Sequence, residues 1–129
     1  MSTTTNIGIS QIGQIAIPIQ DLDRAVAFYR DTLGLPFLFQ APPGLAFFQC
    51  GEVRLMLSRP EGSEEAQGAA VLYYKVTDLP TAYATLQARQ VDFIDAPHLI
   101  AKLADHELWM VFFRDSEGNM VALMSEVRE

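Results

Sequence analysis

QIAIPIQDLDRAVAFYRDTLGL, Gln14 to Leu35, decides the fold. Ile15, Ile17 and Ile19 are bulky, and the residues between them are smaller or polar. That period of two belongs to a strand with two distinct faces. Pro18 cannot donate to a ladder, so it marks a strand end or an edge. Asp21 carries the short acceptor that a helix N-cap needs, and Asp23 puts negative charge in the first turn, where the helix dipole favours it. Leu22, Ala25, Val26, Phe28, Tyr29 and Leu33 then form a helical stripe. Gly34 suits the C′ position, and Pro36 prevents the helix from resuming.

Working outward, residues 1–6 read as a frayed lead and Ile7 to Ile12 as a short strand or lead-in. After the helix, Phe37 to Gln40 reads as a strand, Ala41 to Gly44 as a loop, Leu45 to Cys50 as a strand, Gly51-Glu52 as a turn and Val53 to Ser58 as a strand. The polar, acidic segment from Arg59 to Gly68 reads as a linker. Then the unit restarts. Val71 to Val76 is a strand, and a helix begins at Asp78-Leu79 and runs to about Gln90, with Pro80 allowed in its first turn. A shift of 57 lays Asp78 on Asp21, Leu79 on Leu22 and Ala82 on Ala25. A short strand at Val91 to Ile94, a hairpin from His98 to Leu103 and Glu107 to Phe113, a turn at Asp115 to Asn119 and a strand from Met120 to Met124 complete the copy. Gly118 lies on Gly51 at a shift of 67, so the copy holds about ten extra residues, and His98 and His106 lie in or beside them.

The reading is therefore one α+β domain over residues 1–129, built from two β-α-β-β-β modules. Module one covers about 12–59, the linker 60–69 and module two 70–126. The strands are expected to form a curled mixed sheet with a concave cavity and helices on the outer face.

Composition bounds the function. Half of the 129 residues are apolar, which excludes a disordered chain. A single cysteine, Cys50, rules out an internal disulfide framework and fits a reducing compartment. In its apolar strand Cys50 reads as an inert buried thiol. No signal-like start and no membrane-length apolar run are present, so a cytoplasmic location is expected. A formal charge of −7 disfavours nucleic acid as a partner and mildly favours cationic or neutral ligands.

IAIPIQDLDRAVAFYRDTLGL and FFRDSEGNMVALMSE resemble the opening and closing signatures of the vicinal oxygen chelate superfamily. This is the group of glyoxalases, bleomycin resistance proteins and dioxygenases. The resemblance covers about Ile12 to Glu126, and it implies the fold above and a homodimer whose cup binds a small molecule. In metal-using members four strand positions carry His, Glu or Gln. Here they hold Gln14, Met56, Val71 and Ala122. A thioether, an isopropyl and a methyl group cannot hold a hard divalent ion, so no cofactor and no metal site are expected.

The parity of those four positions defines the cup face: Gln14, Ala16, Arg54, Met56, Ser58, Val71, Tyr73, Lys75, Met120, Ala122 and Met124. The opposite parity, Ile15, Ile17, Ile19, Leu55, Leu57, Leu72, Val76, Val121 and Leu123 among it, is apolar and suits packing under the helices. Methionines with a few polar tips suit an adaptable pocket, and equally a filled core or an interface. The expected ligand-binding residues are Gln14, Arg54, Met56, Tyr73, Lys75, Met120 and Met124, with His98, His106 and Trp109. The expected function is a metal-independent binding protein for a small, partly apolar molecule. Whether it is an enzyme stays open. The alternative is a lyase, isomerase or dioxygenase with a non-standard divalent metal site through Gln14, His98, His106 or Glu107. No catalytic triad, phosphate loop or paired catalytic carboxylates stand out.

Overall fold

The computed structural model describes residues 7–59 and 71–128. The expected frayed lead, 1–6, and the linker at 60–69 lie outside them. Ile7 to Ile12 forms no strand, and Ile7, Ile9 and Ile12 are exposed.

Module one contains β1 (Gln14–Pro18), α1 (Leu22–Ala27), β2 (Phe37–Ala41), β3 (Leu45–Cys50) and β4 (Val53–Ser58). Module two contains β5 (Leu72–Lys75), α2 (Leu79–Ala88), β6 (Asp92–Phe93), β7 (His98–Lys102), β8 (Glu107–Arg114) and β9 (Met120–Val127). The strands divide into two mixed sheets, one per module. The first has the order β1-β4-β3-β2 and the second β5-β9-β8-β6, with β7 also pairing β8. In each sheet the module's first strand runs parallel to its last, β1 with β4 and β5 with β9. β6 and β7 take successive stretches of the same side of β8, at 113–114 and 107–110. They fill the place that β2 alone fills in module one, and this is where the ten extra residues go.

The two caps that the repeat anticipates are formed in the same way. Asp21 Oδ1 accepts from the Arg24 backbone N–H at 3.1 Å, and Asp78 Oδ1 accepts from that of Thr81 at 3.1 Å. The first helix departs from a continuous α-helix over residues 22–33. After Ala27 it widens into a π-helical turn, Phe28–Thr32, with Leu33 N–H donating to Phe28 C=O. Gly34 then adopts φ 80°, the left-handed conformation in which a Cβ would be strained.

Period two sorts the faces as expected. Ile17, Ile19, Leu55 and Leu57 pack with Ala25, Val26, Tyr29 and Phe48 in one core. Val111, Phe113, Val121 and Leu123 pack with Leu79 and Leu86 in the other. Phe28, Leu33 and Tyr74 touch both cores and join the modules.

A polar latch reinforces that junction. Glu117, in the β8–β9 turn, accepts from the backbone N–H groups of Gln20 and Asp21 at 2.9 and 2.8 Å and from Arg24 Nε at 2.8 Å. Asn119 Nδ2 donates to Pro18 C=O at 2.8 Å, and the buried Tyr29 hydroxyl donates to the buried Asp115 at 2.6 Å. Burial first, and the Asp115 carboxylate second, hold the Tyr29 phenol far above its ordinary range. No helix among the described residues is long and apolar enough to cross a membrane.

Candidate functional site

With the helices covering one side, the other side of each sheet is open, and most of the expected binding residues lie there. In module one the register places Gln14 beside Arg54 and Ala16 beside Met56. It continues from Arg54 to Gln49 and from Met56 to Phe47 on β3. Arg54 Nε donates to Gln14 Oε1 at 2.8 Å, and Gln14 Nε2 lies 3.7 Å from Met56 Sδ. The Arg54 guanidinium sits over the Phe47 ring, 5.5 Å from its centroid. Phe47 in turn stacks on Phe39 of β2, with centroids 4.5 Å apart and planes 25° apart. The result is a stack across three strands, with the buried Phe47 between the oriented Arg54 cation and the exposed Phe39.

Phe47 was readable in advance. A two-residue turn at Gly51-Glu52 pairs Cys50 with Val53, and counting back sets Phe47 opposite Met56. Phe39 was not readable. The β2–β3 register shifts between Phe37 and Phe39. Phe37 therefore meets Phe48 of the helix-side core edge-on, whereas Phe39 reaches the open face.

In module two the same parity brings Tyr73 opposite Ala122 and Lys75 opposite Met124, with Phe112 and Met110 next across the sheet. Tyr73 meets the Phe112 ring edge-on at 5.9 Å, and the His98 ring lies nearly parallel to it at 6.5 Å. Phe112 thus centres an aromatic row that includes two of the expected residues. His98 Nδ1 is 2.9 Å from Ala96 C=O. Met120 is exposed at the start of β9, and Met124 is half-buried.

His106 belongs to a chain of charged groups at the far end of this face. Lys75 Nζ is 3.2 Å from Glu126, which also meets Arg128 at 3.2 Å. Arg128 continues to Asp105 at 2.8 Å, and Asp105 meets His106 Nδ1 at 2.7 Å. Arg128 first and His106 second hold the Asp105 carboxyl down at about 2, and Lys75 holds Glu126 below its ordinary range. The sequence ends the last strand at Met124, whereas β9 runs on to Val127 and so brings Glu126 into this row.

Trp109 lies elsewhere. It alternates with Met110 and packs with the helix-side core of module two, its indole N–H donating to Glu107 at 3.1 Å. Glu107 shares that parity. Gln14, His98, His106 and Glu107 each have separate partners, and no group of three or more His, Cys, Asp or Glu converges among the described residues.

A cavity of about 330 Å³ opens on the helix side, where the modules meet, between Leu33, Leu35, Cys50, Tyr74, Ala82 and Leu86. Burial pushes the Cys50 thiol up, which disfavours its reactive form.

A sequence profile described as Glyoxalase/Bleomycin resistance protein/Dioxygenase superfamily matches residues 11–123. The uncharacterized protein YraH of Bacillus subtilis (strain 168) is 29% identical over 126 residues, covering 85% of this chain and 94% of that protein. Among solved structures, a lactoylglutathione lyase from Agrobacterium tumefaciens is similar at TM-score 0.71 and 27% identity, covering 92% of this chain and 95% of that one. A superfamily member from Sphaerobacter thermophilus DSM 20745 is similar at TM-score 0.76 and 22% identity, covering 92% and 98%.

Proposed function

Given that the chain belongs to the glyoxalase/bleomycin resistance protein/dioxygenase superfamily, we propose that it is a metal-independent binding protein, holding a small, partly apolar molecule against the open sheet face. One observation carries this. Of the four positions where metal-using relatives place ligands, three hold Met56, Val71 and Ala122, and the fourth, Gln14, has its amide oxygen bonded to Arg54. A divalent ion there would meet one oxygen, no carboxylate or imidazole at these positions, and a guanidinium in hydrogen-bond contact with that oxygen. These residues do not fit a divalent metal. The exposed Phe39, Tyr73 and Met120, with the half-buried Met124, offer adaptable apolar contact instead.

The protein acts in this reading as a cytoplasmic homodimer. In support, the edge strand β2 leaves Phe37 and Leu38 exposed in the single chain. Sedimentation showing only monomer at micromolar concentration would refute the dimer. The similarity to a lactoylglutathione lyase favours the other reading, a metal-using enzyme. Elemental analysis of protein purified without chelator separates the two. The binding protein contains less than about a tenth of an equivalent of zinc, nickel, manganese or iron. A stoichiometric metal that is lost in Gln14→Ala, His98→Ala or His106→Ala overturns it.

A further inference from the structure

The charges on the open face are distributed unevenly between the modules. In module two Lys75 and Arg128 are matched by Glu126 and Asp105. In module one the open-face register, Gln14, Ala16, Arg54, Met56, Ser58, Leu45, Phe47, Gln49 and Phe39, contains no acid at all. Arg54 pairs with no carboxylate of the described residues. Its contacts are Gln14 Oε1 through Nε and the Phe47 ring. The Gln14 bond and the ring fix the plane of the guanidinium and leave its two Nη groups, a fork that matches the two oxygens of a carboxylate. Phe47 is buried, its ring stacked on Phe39 and capped by Arg54, whereas Phe39 at the end of that stack is 46% exposed and offers an apolar ring surface on the same face.

We propose that Arg54 is a carboxylate anchor, and that the preferred ligand of this face is an aromatic carboxylic acid whose ring packs against the exposed Phe39. This deepens the binding reading above and rests on it. It also reverses the preference for cations that a net charge of −7 suggests. Acidic groups more than about 10 Å away are screened at ordinary ionic strength, whereas a guanidinium in direct contact is not. A neutral amide on the same ring system keeps the Phe39 contact and loses the ion pair. An ammonium meets Arg54 as a like charge.

The test uses 2-naphthoate, 2-naphthamide and 2-naphthylmethylammonium, titrated into the full-length protein with backbone amide NMR shifts as the readout. Naphthoate is expected to bind about tenfold more tightly than the amide, a modest ratio because Arg54 is exposed. The shifts should centre on Gln14, Phe39, Phe47 and Arg54. In Arg54→Gln the acid and amide should bind alike. In Arg54→Lys, which keeps the charge and loses the fork, part of the preference should survive. A circular dichroism spectrum matching wild type establishes that each variant is folded. Raising salt from 50 to 500 mM should weaken naphthoate and leave the amide unchanged. Equal binding of acid and amide by the wild type, or a naphthoate preference that persists in Arg54→Gln, overturns the anchor and leaves the binding reading standing. Absence of shifts on the open face with all three probes overturns both.

Discussion

Glu117→Gln removes one negative charge from the latch and keeps the shape of the side chain. Its carboxylate is 1% exposed and accepts from five groups: two backbone N–H groups at the start of α1, Arg24 through Nε and Nη2, and the Ser116 hydroxyl. Burial alone would raise its pKa. Arg24 and the Asp21 and Gln20 N–H groups outweigh burial and bring it from 4.5 down to about 2. That difference corresponds to roughly 3 kcal/mol of stability at neutral pH. A carboxyl depressed in the folded state contributes fully above its unfolded value of 4.5, and the contribution is lost as pH falls through about 2. Arg24 is half-exposed, so the variant strands no buried cation. Urea unfolding followed by circular dichroism at pH 7 should therefore place Glu117→Gln about 2–3 kcal/mol below wild type with an unchanged m-value, and melting should drop by roughly 10 °C. At pH 3 the gap should narrow to about 1 kcal/mol, because the wild type has by then lost most of the same interaction. A gap below about 0.5 kcal/mol at pH 7, or one that is the same at both pH values, would refute the latch as a charged device.

Three further outcomes follow from the packing. Tyr29→Phe leaves Asp115 without its 2.6 Å donor in a buried site and should cost about 1–3 kcal/mol in urea. Asp21→Ala and Asp78→Ala each remove an N-cap acceptor and should cost about 1 kcal/mol apiece, with the double variant close to their sum. Phe48→Ala, fully buried, should cost about 3–5 kcal/mol, whereas Phe39→Ala, on the open face, should cost under about 1 kcal/mol and weaken naphthoate binding. Equal losses at the two phenylalanines would show that the open face is core.

The repeat of the strand-cap-helix unit was legible because caps and period two are local. An Asp before an apolar stripe needs only its own next turn, and alternation needs only the pleat. Asp21 and Asp78, the helix-side apolar set and the open-face set all came from residues within a few positions of one another. Other features required distant partners. The π-helical turn at Phe28–Thr32 departs from the continuous stripe, and it holds Tyr29, whose hydroxyl partner Asp115 is 86 positions away. The shift in β2 puts Phe37 and Phe39 on opposite faces, although counting by twos puts them on one. Trp109 is among the residues the sequence assigns to ligand binding, and the β8 register turns it to the helices. Gln14 was picked out for its position, but its oxygen's partner is Arg54, 40 residues on. Local chemistry thus determined the elements and their two faces. Only the tertiary pairing of strands, with its register shifts and long-range hydrogen bonds, decided which aromatic rings share the open face and which of its cations meets a carboxylate, since those contacts join residues with no short-range signal of one another.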